Sequence, residues 1–491
     1  MPIKTSLARA RQRSIFQRTP RISQAGILPT REASTMAAGL PSRHSHRASP
    51  VPYLFTAGPP IKDSLVTDTS VSQDSVEESC RPFLAGTQGG IPVNGFGVAS
   101  LDRERHIKFL EKNLGNLPAA FGAADASRPW IFYWCLNGLV LLGADVSKYR
   151  DRLVETARSI QNEGGGFGGG FGHQSHLATT YAIVLALAIV GGESAYQVID
   201  RRAMWKWLCA LKEPDGGFRL TLGGEIDVRG AYCAAVLITL LKLPLDLPRD
   251  SPSYTPERPD LFSGLANYVR RCQTFEGGIS ARPGAEAHGA YAFCALGCLA
   301  ILDAPHRIFP RYLDMPRLIS WLSSRQYAPE GGLSGRTNKL VDGCYSHWVG
   351  GCWPLIEAAI HEPEIVTSIE PTYSTADDLY SREGLVRYIL CCGQDQTKRG
   401  GMRDKPSRPS DAYHTCYVLS GLSSAQHVTR ILSSDGDGMM APWTYEVLPH
   451  LGGEAQVYNE QDRVSPTDPV YVIPGGKRKD IMSYFSSKPG F

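Results

Sequence analysis

The sequence holds no run of the ~18–20 apolar residues that a membrane-spanning helix needs; its most apolar stretch, YAIVLALAIV from Tyr181, stops at ten. No transmembrane segment is expected. It also lacks the cysteine pattern of a disulfide-stapled secreted domain. Its 12 cysteines are scattered through 491 residues, several inside apolar segments (Cys233, Cys294, Cys298, Cys416), and no apolar leader precedes them. That usage points to buried, reduced thiols in an intracellular chain, and a cytoplasmic location is expected. A dominant charge is missing as well: 51 Lys and Arg face 48 Asp and Glu, a net of +3. Residues 1–62 hold ten basic residues against Glu32 alone, a net of +9, which leaves −6 for residues 63–491. A mildly acidic folded part is a poor nucleic-acid surface, so no nucleic-acid partner is expected. Finally, no segment alternates polar and apolar residues with the period of a strand, which points to an all-α fold.

What is abundant is glycine, 50 residues, and its placement organises the chain. Gly-Gly pairs recur at 165–166, 216–217, 277–278, 331–332 and 400–401, each followed by an apolar residue: Phe167, Phe218, Ile279, Leu333 and Met402. A Gln or Lys stands four residues before four of the pairs (Gln161, Lys212, Gln273, Gln396), and Gln326 stands five before the other. Twelve to fifteen residues after each pair, a small or polar residue is followed by tyrosine: Tyr181, Tyr232, Tyr291, Tyr345 and Tyr413. Such self-similarity is the mark of a repeat architecture.

Each tyrosine opens a stretch that is apolar nearly all round, such as AYCAAVLITLLKL, and so must be buried on several sides. The segments between, such as RRAMWKWLCALK, carry one apolar face. One unit therefore reads as an outer amphipathic helix, a Gly-Gly loop and an inner apolar helix. Buried inner helices favour closure into a ring, and an α/α toroid of about six hairpins is predicted, the irregular one lying around RPWIFYWCLNGLVLLG. The first 62 residues, rich in Arg, Ser, Pro and Ala, cannot bury enough apolar surface to offset ordering entropy and read as a disordered basic tail. Their first 23 residues, acid-free and Arg-rich, also fit a mitochondrial transit peptide.

Counting from the tyrosines places the polar residues. Arg229, His288 and Asp342 stand three before, Cys344 one before and His414 one after. In a closed ring the starts of the inner helices open at one end, where these residues would converge and where helix N-termini favour anions. An Asp-x-Cys pair by itself usually marks nothing more than a buried thiol, and a lone histidine a structural hydrogen bond. Read from residue types alone, Asp342, Cys344 and His414 are either a metal site or packing.

The strings NKLVDGCYSHW, DAYHTCYVLSGLSSAQH, GGEIDVRGAYCAA, AHGAYAFCAL and DASRPWIFYW together resemble the beta subunits of the protein farnesyltransferase family, from about Leu101 to Val428, with an echo at TDPVYVI. The resemblance implies an α/α barrel over residues 63–450, with residues 451–491 as an extension packed on it. It implies a protein prenyltransferase that moves farnesyl from farnesyl diphosphate to the thiol of a C-terminal CaaX cysteine, as a heterodimer with an alpha subunit. Asp342, Cys344 and His414 would hold one catalytic zinc, leaving its fourth tetrahedral position open for the substrate thiol. His288, Arg336, Lys339 and Tyr345 would meet the diphosphate, and Asp404 a magnesium ion on it. Trp130, Tyr181, Arg229, Tyr232, Tyr291, Cys294 and Trp348 would line the isoprenoid site, and Trp130, Trp134 and Tyr413 the peptide site. Thr179 stands where the family commonly has proline, a minor departure.

Three alternatives remain at this point. A geranylgeranyltransferase beta subunit would share the fold, and the bulk of Trp130 and Tyr417 argues for the shorter lipid. Terpene cyclases share the toroid, but Asp377-Asp378 in TADD is not their DxDD acid motif. A helical-repeat scaffold would have no reason to align Asp, Cys and His at one cavity mouth.

Overall fold

A computed structural model describes residues 65–327, 329–360, 379–434, 443–450 and 456–488 of the chain. The tail expected over residues 1–62, and Asp377 and Asp378, lie outside the described residues. Among the described residues a first helix α1 (Asp68–Leu84) is followed by six hairpins, each an outer helix and then an inner one. They pair α2 (Arg103–Asn113) with α3 (Arg128–Leu141), α4 (Arg150–Ile160) with α5 (Leu177–Val190), and α7 (Arg201–Leu211) with α8 (Val228–Leu240). The remaining three pair α9 (Leu265–Arg271) with α10 (Gly289–Leu302), α12 (Met315–Ser323) with α13 (Tyr345–Trp348), and α15 (Arg382–Arg387) with α16 (Ala412–Gln426). Short helices α6 (Glu193–Tyr196) and α11 (Pro305–Tyr312) lie between hairpins, and α14 (Trp353–Ile360) extends the fifth inner helix past the turn at Gly350–Cys352.

The inner helices α3, α5, α8, α10, α13 and α16 each pack on the next, and α16 packs back on α3. The ring is closed. Burial follows the two sequence patterns: α5 buries 13 of its 14 residues, whereas α4 buries only Leu153, Val154, Ala157 and Ile160 along one face. Each fully buried Leu, Val or Ile contributes about 1.5–3 kcal/mol, so the inner helices are held chiefly by their neighbours in the ring.

The Gly-Gly loops have a steric reason. At Gly277 (φ +102°) a Cβ would lie 2.3 Å from the carbonyl oxygen of Arg317 on the next outer helix. The loop passes that helix too closely for any side chain.

The Gln before each loop ties one hairpin to the next. Gln161 Oε1 accepts from Asp200 N, Gln273 Oε1 from Asp314 N and Gln326 Oε1 from Ser381 N, at 2.7–3.0 Å, each donor being the N-cap of the following outer helix. The tie from the sixth hairpin closes the ring: Gln394 Oε1 accepts from Asp102 N, the N-cap of α2, at 2.9 Å. Gln396, expected here from its four-residue spacing, instead hydrogen-bonds Ile91 N and Cys391 O. A π-helical turn at Tyr388–Gly393 shifts the register, and Gln394 takes the tie. Lys212 stands in for Gln in the third unit, its Nζ donating to Gly216 O at 2.8 Å.

The all-α toroid stands, but the expectation that no segment forms strands needs correction. An antiparallel hairpin, β1 (His427–Ser434) with β2 (Trp443–Pro449), follows α16 directly. No linker separates helix from strand, and two short strands show too few alternations to stand out from the helical pattern. Beyond it, residues 465–471 cross the C-terminal ends of the inner helices. Ser465 N donates to Leu141 O, Thr467 N to Ser423 Oγ and Tyr471 Oη to Thr239 Oγ1, at 2.9–3.1 Å. The last helix, α17 (Lys477–Ser486), packs on α5 and α8. That end of the ring is covered, and the other is where the inner helices begin.

Candidate active site

Asp342 and Cys344 lie in the turn before α13, and His414 lies in the first turn of α16. Neighbouring helices of a closed ring bring them together, although the sequence separates Asp342 from His414 by 72 residues. One donor atom from each lies within 4.8 Å of the others. His414 Nε2 meets Asp342 Oδ1 at 3.1 Å, and Cys344 N donates to the same oxygen at 2.9 Å.

A fourth residue, which sequence reasoning missed, orients the cluster. Asp411 caps α16 by accepting from His414 N, and its other oxygen holds His414 Nδ1 at 2.7 Å. That leaves Nε2 to face Asp342, the carboxylate–histidine arrangement typical behind metal ligands. The signal was present in DAYH, where an acid three residues before a histidine is both an N-cap and a ring partner.

The electrostatics fit a cation. Burial lowers the pKa of His414, but the hydrogen bonds of Asp342 and Asp411 outweigh it and bring it up to about 9. Burial raises the pKa of Asp342, yet its bonds from His414 and Cys344 hold it below the usual carboxylate range. Burial, and then the charge of Asp342, push the Cys344 thiol well up. One carboxylate (Asp342), one imidazole held from behind by Asp411 and one thiol (Cys344) are a donor set that fits a tetrahedral divalent ion, which would replace the Nε2 and thiol protons.

Beside the cluster, Tyr345 Oη meets His288 Nε2 at 3.1 Å. His288 is the N-cap of α10, and its Nδ1 accepts from Ala290 N at 3.1 Å, so the ring proton sits on Nε2 and is donated to Tyr345. Burial, and then Arg336, lower its pKa to about 4, which keeps it neutral near pH 7. Arg336, expected on the diphosphate, is paired here with Glu286: its Nη1 donates to Glu286 Oε2 at 2.8 Å. Lys339, on the same turn, is exposed. Asp404 is drawn to the cluster through its carbonyl, which accepts from Gly343 N at 2.8 Å, while its carboxylate pairs with Lys405. Burial, and then Asp342, raise its pKa.

Aromatic rings continue inward. Trp130 stacks on Trp134 (5.7 Å) and meets Tyr181 (5.8 Å); Tyr181 meets Tyr232 (5.6 Å) and Tyr232 meets Phe293 (5.9 Å). On the other side Trp348 packs on Tyr417 (4.4 Å), and its Nε1 donates to Tyr413 Oη at 3.0 Å; Tyr413 meets Trp134 (5.4 Å). Arg229 is paired with Asp227, the N-cap of α8, and its guanidinium lies 5.9 Å from the Tyr291 ring. Cys294 is buried one turn below Tyr291. Of the residues singled out from the sequence, Arg336, Lys339 and Asp404 are not part of these ring contacts: Arg336 is held by Glu286, the Asp404 carboxylate by Lys405, and Lys339 is exposed. The ring of tyrosines also includes Tyr133, which the repeat count passed over because it lies in the irregular first unit.

Residues 101–473 match the family model of the prenyltransferase alpha-alpha toroid domain. The protein farnesyltransferase subunit beta of Pyricularia oryzae is 59% identical over 90% of this chain and 85% of its own length. The chain belongs to the protein farnesyltransferase beta-subunit family. It is a protein prenyltransferase subunit, and the farnesyl rather than the geranylgeranyl reading holds. The geranylgeranyl transferase type-1 subunit beta of Arabidopsis thaliana is more distant, 27% identical over 73% of this chain and 94% of its own length. The fold is shared with the Candida albicans protein geranylgeranyltransferase-I solved with GGPP, at a TM-score of 0.58 and 21% identity over 79% of this chain and 99% of that one. No helix among the described residues is long and apolar enough to cross a membrane.

Proposed function

We propose that this chain, paired with an alpha subunit, transfers farnesyl from farnesyl diphosphate to the cysteine thiol of CaaX-ended proteins. The observation that carries the reading is the convergence of Asp342, Cys344 and His414 at the rim of an aromatic-lined ring. The donor set fits zinc, which when bound supplies a Lewis acid that lowers the pKa of a substrate thiol. The thiolate sulfur attacks the first carbon of the lipid, the carbon–oxygen bond breaks, and its electron pair leaves with the diphosphate.

The chain's own groups serve both partners. Tyr345, whose pKa burial raises, keeps its proton and donates it in a hydrogen bond to the leaving oxygen. Neutral His288 holds that phenol from behind. Arg336 turns from Glu286 to the diphosphate, and Lys339 reaches it from the exposed turn. Asp404 is the candidate partner for magnesium, an ion that must displace the Lys405 ammonium. Trp130, Tyr181, Arg229, Tyr232, Tyr291, Cys294 and Trp348 face the isoprenoid and exclude water; Trp130, Trp134 and Tyr413 receive the tetrapeptide. Residues 63–450 carry this chemistry, with residues 451–491 as an extension. A cytoplasmic location accords with the 12 free cysteines.

The test is co-expression with an alpha subunit, followed by metal analysis and an assay of farnesyl against geranylgeranyl diphosphate on a Cys-ended tetrapeptide. One zinc per heterodimer and preference for farnesyl are expected. A metal-free heterodimer that still turns over would overturn the site.

A further inference from the structure

We propose that an open basic cleft between the fourth and fifth hairpins binds a phosphate monoester. The cleft lies where the end of α9 meets the start of α12, with α11 along its edge. Its volume is about 440 Å³, within the range of small-molecule sites. None of its lining residues belongs to the metal cluster or to the aromatic wall.

Three guanidinium groups line the cleft, from Arg270, Arg311 and Arg317, against one carboxylate, Asp314. Arg317 is already engaged: its Nε pairs with Asp314 Oδ2 at 3.4 Å, and its Nη1 donates to Phe275 O at 3.3 Å. Arg270 and Arg311 have no carboxylate partner among the described residues, and Arg311 lies over the Tyr312 ring at 5.5 Å. The acids beside these residues are engaged elsewhere, Asp215 with Arg271 and Glu276 with Thr337. The lining therefore carries an excess of two positive charges. Like charges around one cavity repel each other, and a dianion relieves the repulsion.

The ring does not need these arginines. The tie at this junction uses the Gln273 side chain and the backbone of Asp314. Arg270 stands three residues before Gln273 and Phe275 two after it, while Arg311 and Arg317 flank Asp314 at three residues on either side. At the tie of Gln161 with Asp200 the same four places hold one base, Arg158, and one acid, Glu163. At the tie of Gln326 with Ser381 they hold no base and one acid, Asp378.

The charge and the shape together select the ligand. Guanidinium forks fit the paired oxygens of an oxyanion. A phosphate monoester carries about −1.5 to −2 near pH 7, which matches the excess, whereas a carboxylate would neutralise half of it. Phe275, on the cleft wall, is 85% exposed and offers its ring to the organic part of the ester. An aryl phosphate therefore fits better than inorganic phosphate. It arrives either as a free small molecule or as phosphotyrosine on a partner protein.

The experiment is isothermal titration calorimetry on the heterodimer with farnesyl diphosphate already bound, so that the transfer site is filled. The probes are phenyl phosphate, inorganic phosphate and a phosphotyrosine peptide. Arg270→Ala and Arg311→Ala are each expected to weaken phenyl phosphate about tenfold. Phe275→Ala should weaken it a few-fold and leave inorganic phosphate unchanged. Arg271→Ala, which breaks the pair with Asp215 outside the cleft, should change neither. These side chains are all exposed, and thermal melts check that the variants fold. A peptide that binds about tenfold more tightly than phenyl phosphate identifies a phosphorylated partner as the source; equal affinity identifies a free ester. Absence of binding by all three probes overturns the site, and so does binding that both arginine variants leave unchanged. Failure of farnesyl diphosphate to bind would count against the transfer reading alone, since the arginine variants still report on the cleft.

Discussion

The two ends of the ring are made of different material. At the mouth, successive units deliver residues from matched positions at the starts of inner helices: Arg229, His288 and Asp342, with Cys344 and His414 beside them. At the floor, the inner helices end in residues of no shared chemistry, and a segment from outside the repeat closes the gap. The contrast teaches what a repeat can and cannot build. Matched positions let the identity of the residues vary while the backbone holds them around one axis, which suits chemistry. An end wall needs a single irregular piece, because six equivalent loops cannot all occupy the centre of a ring.

The comparison breaks most sharply at the metal cluster. Cys344→Ala is expected to lose bound zinc and about two to three orders of magnitude in turnover. Far-ultraviolet circular dichroism should stay unchanged, because the ring core is apolar. Loss of helix together with metal would show that the cluster is a structural staple instead.

Next comes the residue behind the cluster. Asp411→Ala should weaken zinc binding by about 10- to 100-fold, as loss of a carboxylate on a ligand histidine does. It should also destabilise α16 by about 1 kcal/mol through the lost cap. Asp411→Ser restores the cap without the ring contact, so competition with a chelator separates the two effects.

Smaller changes are expected at the leaving-group end. Arg336→Ala should slow turnover about tenfold, since a charge-assisted contact is worth ~1.5–3 kcal/mol where desolvated and Arg336 is partly exposed. Lys339→Ala should do less, because its side chain is exposed. Glu286→Gln, which frees Arg336, should tighten diphosphate binding a few-fold; weaker binding of the peptide alone would contradict this map.

Within the aromatic wall, Trp130→Thr should move the lipid preference towards geranylgeranyl by making room near the closed end. Tyr417→Phe should move it the same way by less, as discrimination by apolar size amounts to only ~1–3 kcal/mol per methylene. The measured quantity is the ratio of kcat/KM values, since both variants lose packing.

The smallest effect concerns His347, which is buried against Tyr417 (5.2 Å) with neither ring nitrogen hydrogen-bonded among the described residues. Burial lowers its pKa from 6.5 to about 3. As pH falls through 6.5 the unfolded chain takes up a proton that the native state refuses, so stability drains from about pH 6.5 down to about 3. His347→Phe removes both the unpaired nitrogens and this proton linkage. It should raise stability by about 1 kcal/mol at pH 7, with an advantage in Tm that grows on acidification. A gap that stays constant from pH 7 to pH 4 would assign the gain to packing alone.

The ring itself was legible because its units repeat. Gly-Gly pairs, Gln residues and tyrosines at near-constant spacing reveal hairpins, and all-round apolarity separates inner helices from outer ones. Asp342, Cys344 and His414 drew attention because each lies within three residues of a repeat tyrosine, although residue types alone left them as either a metal site or packing. Where the spacing slips, legibility slips too: the π-helical turn moves the tie of the sixth hairpin from Gln396 to Gln394, and Tyr133 hides in the unit without a Gly-Gly loop.

Read alone, then, the chain declares local periodicity, because helix face and loop sterics depend on residues a few positions apart. Only the closed tertiary structure decides which distant residues share the axis. Glu286 on Arg336 and the turn at Asp468 under Tyr133 and Tyr232 are pairings between segments with no common pattern. Their partners are chosen by the closure of the ring, which sets α16 against α3 and carries the C-terminal segment across its end.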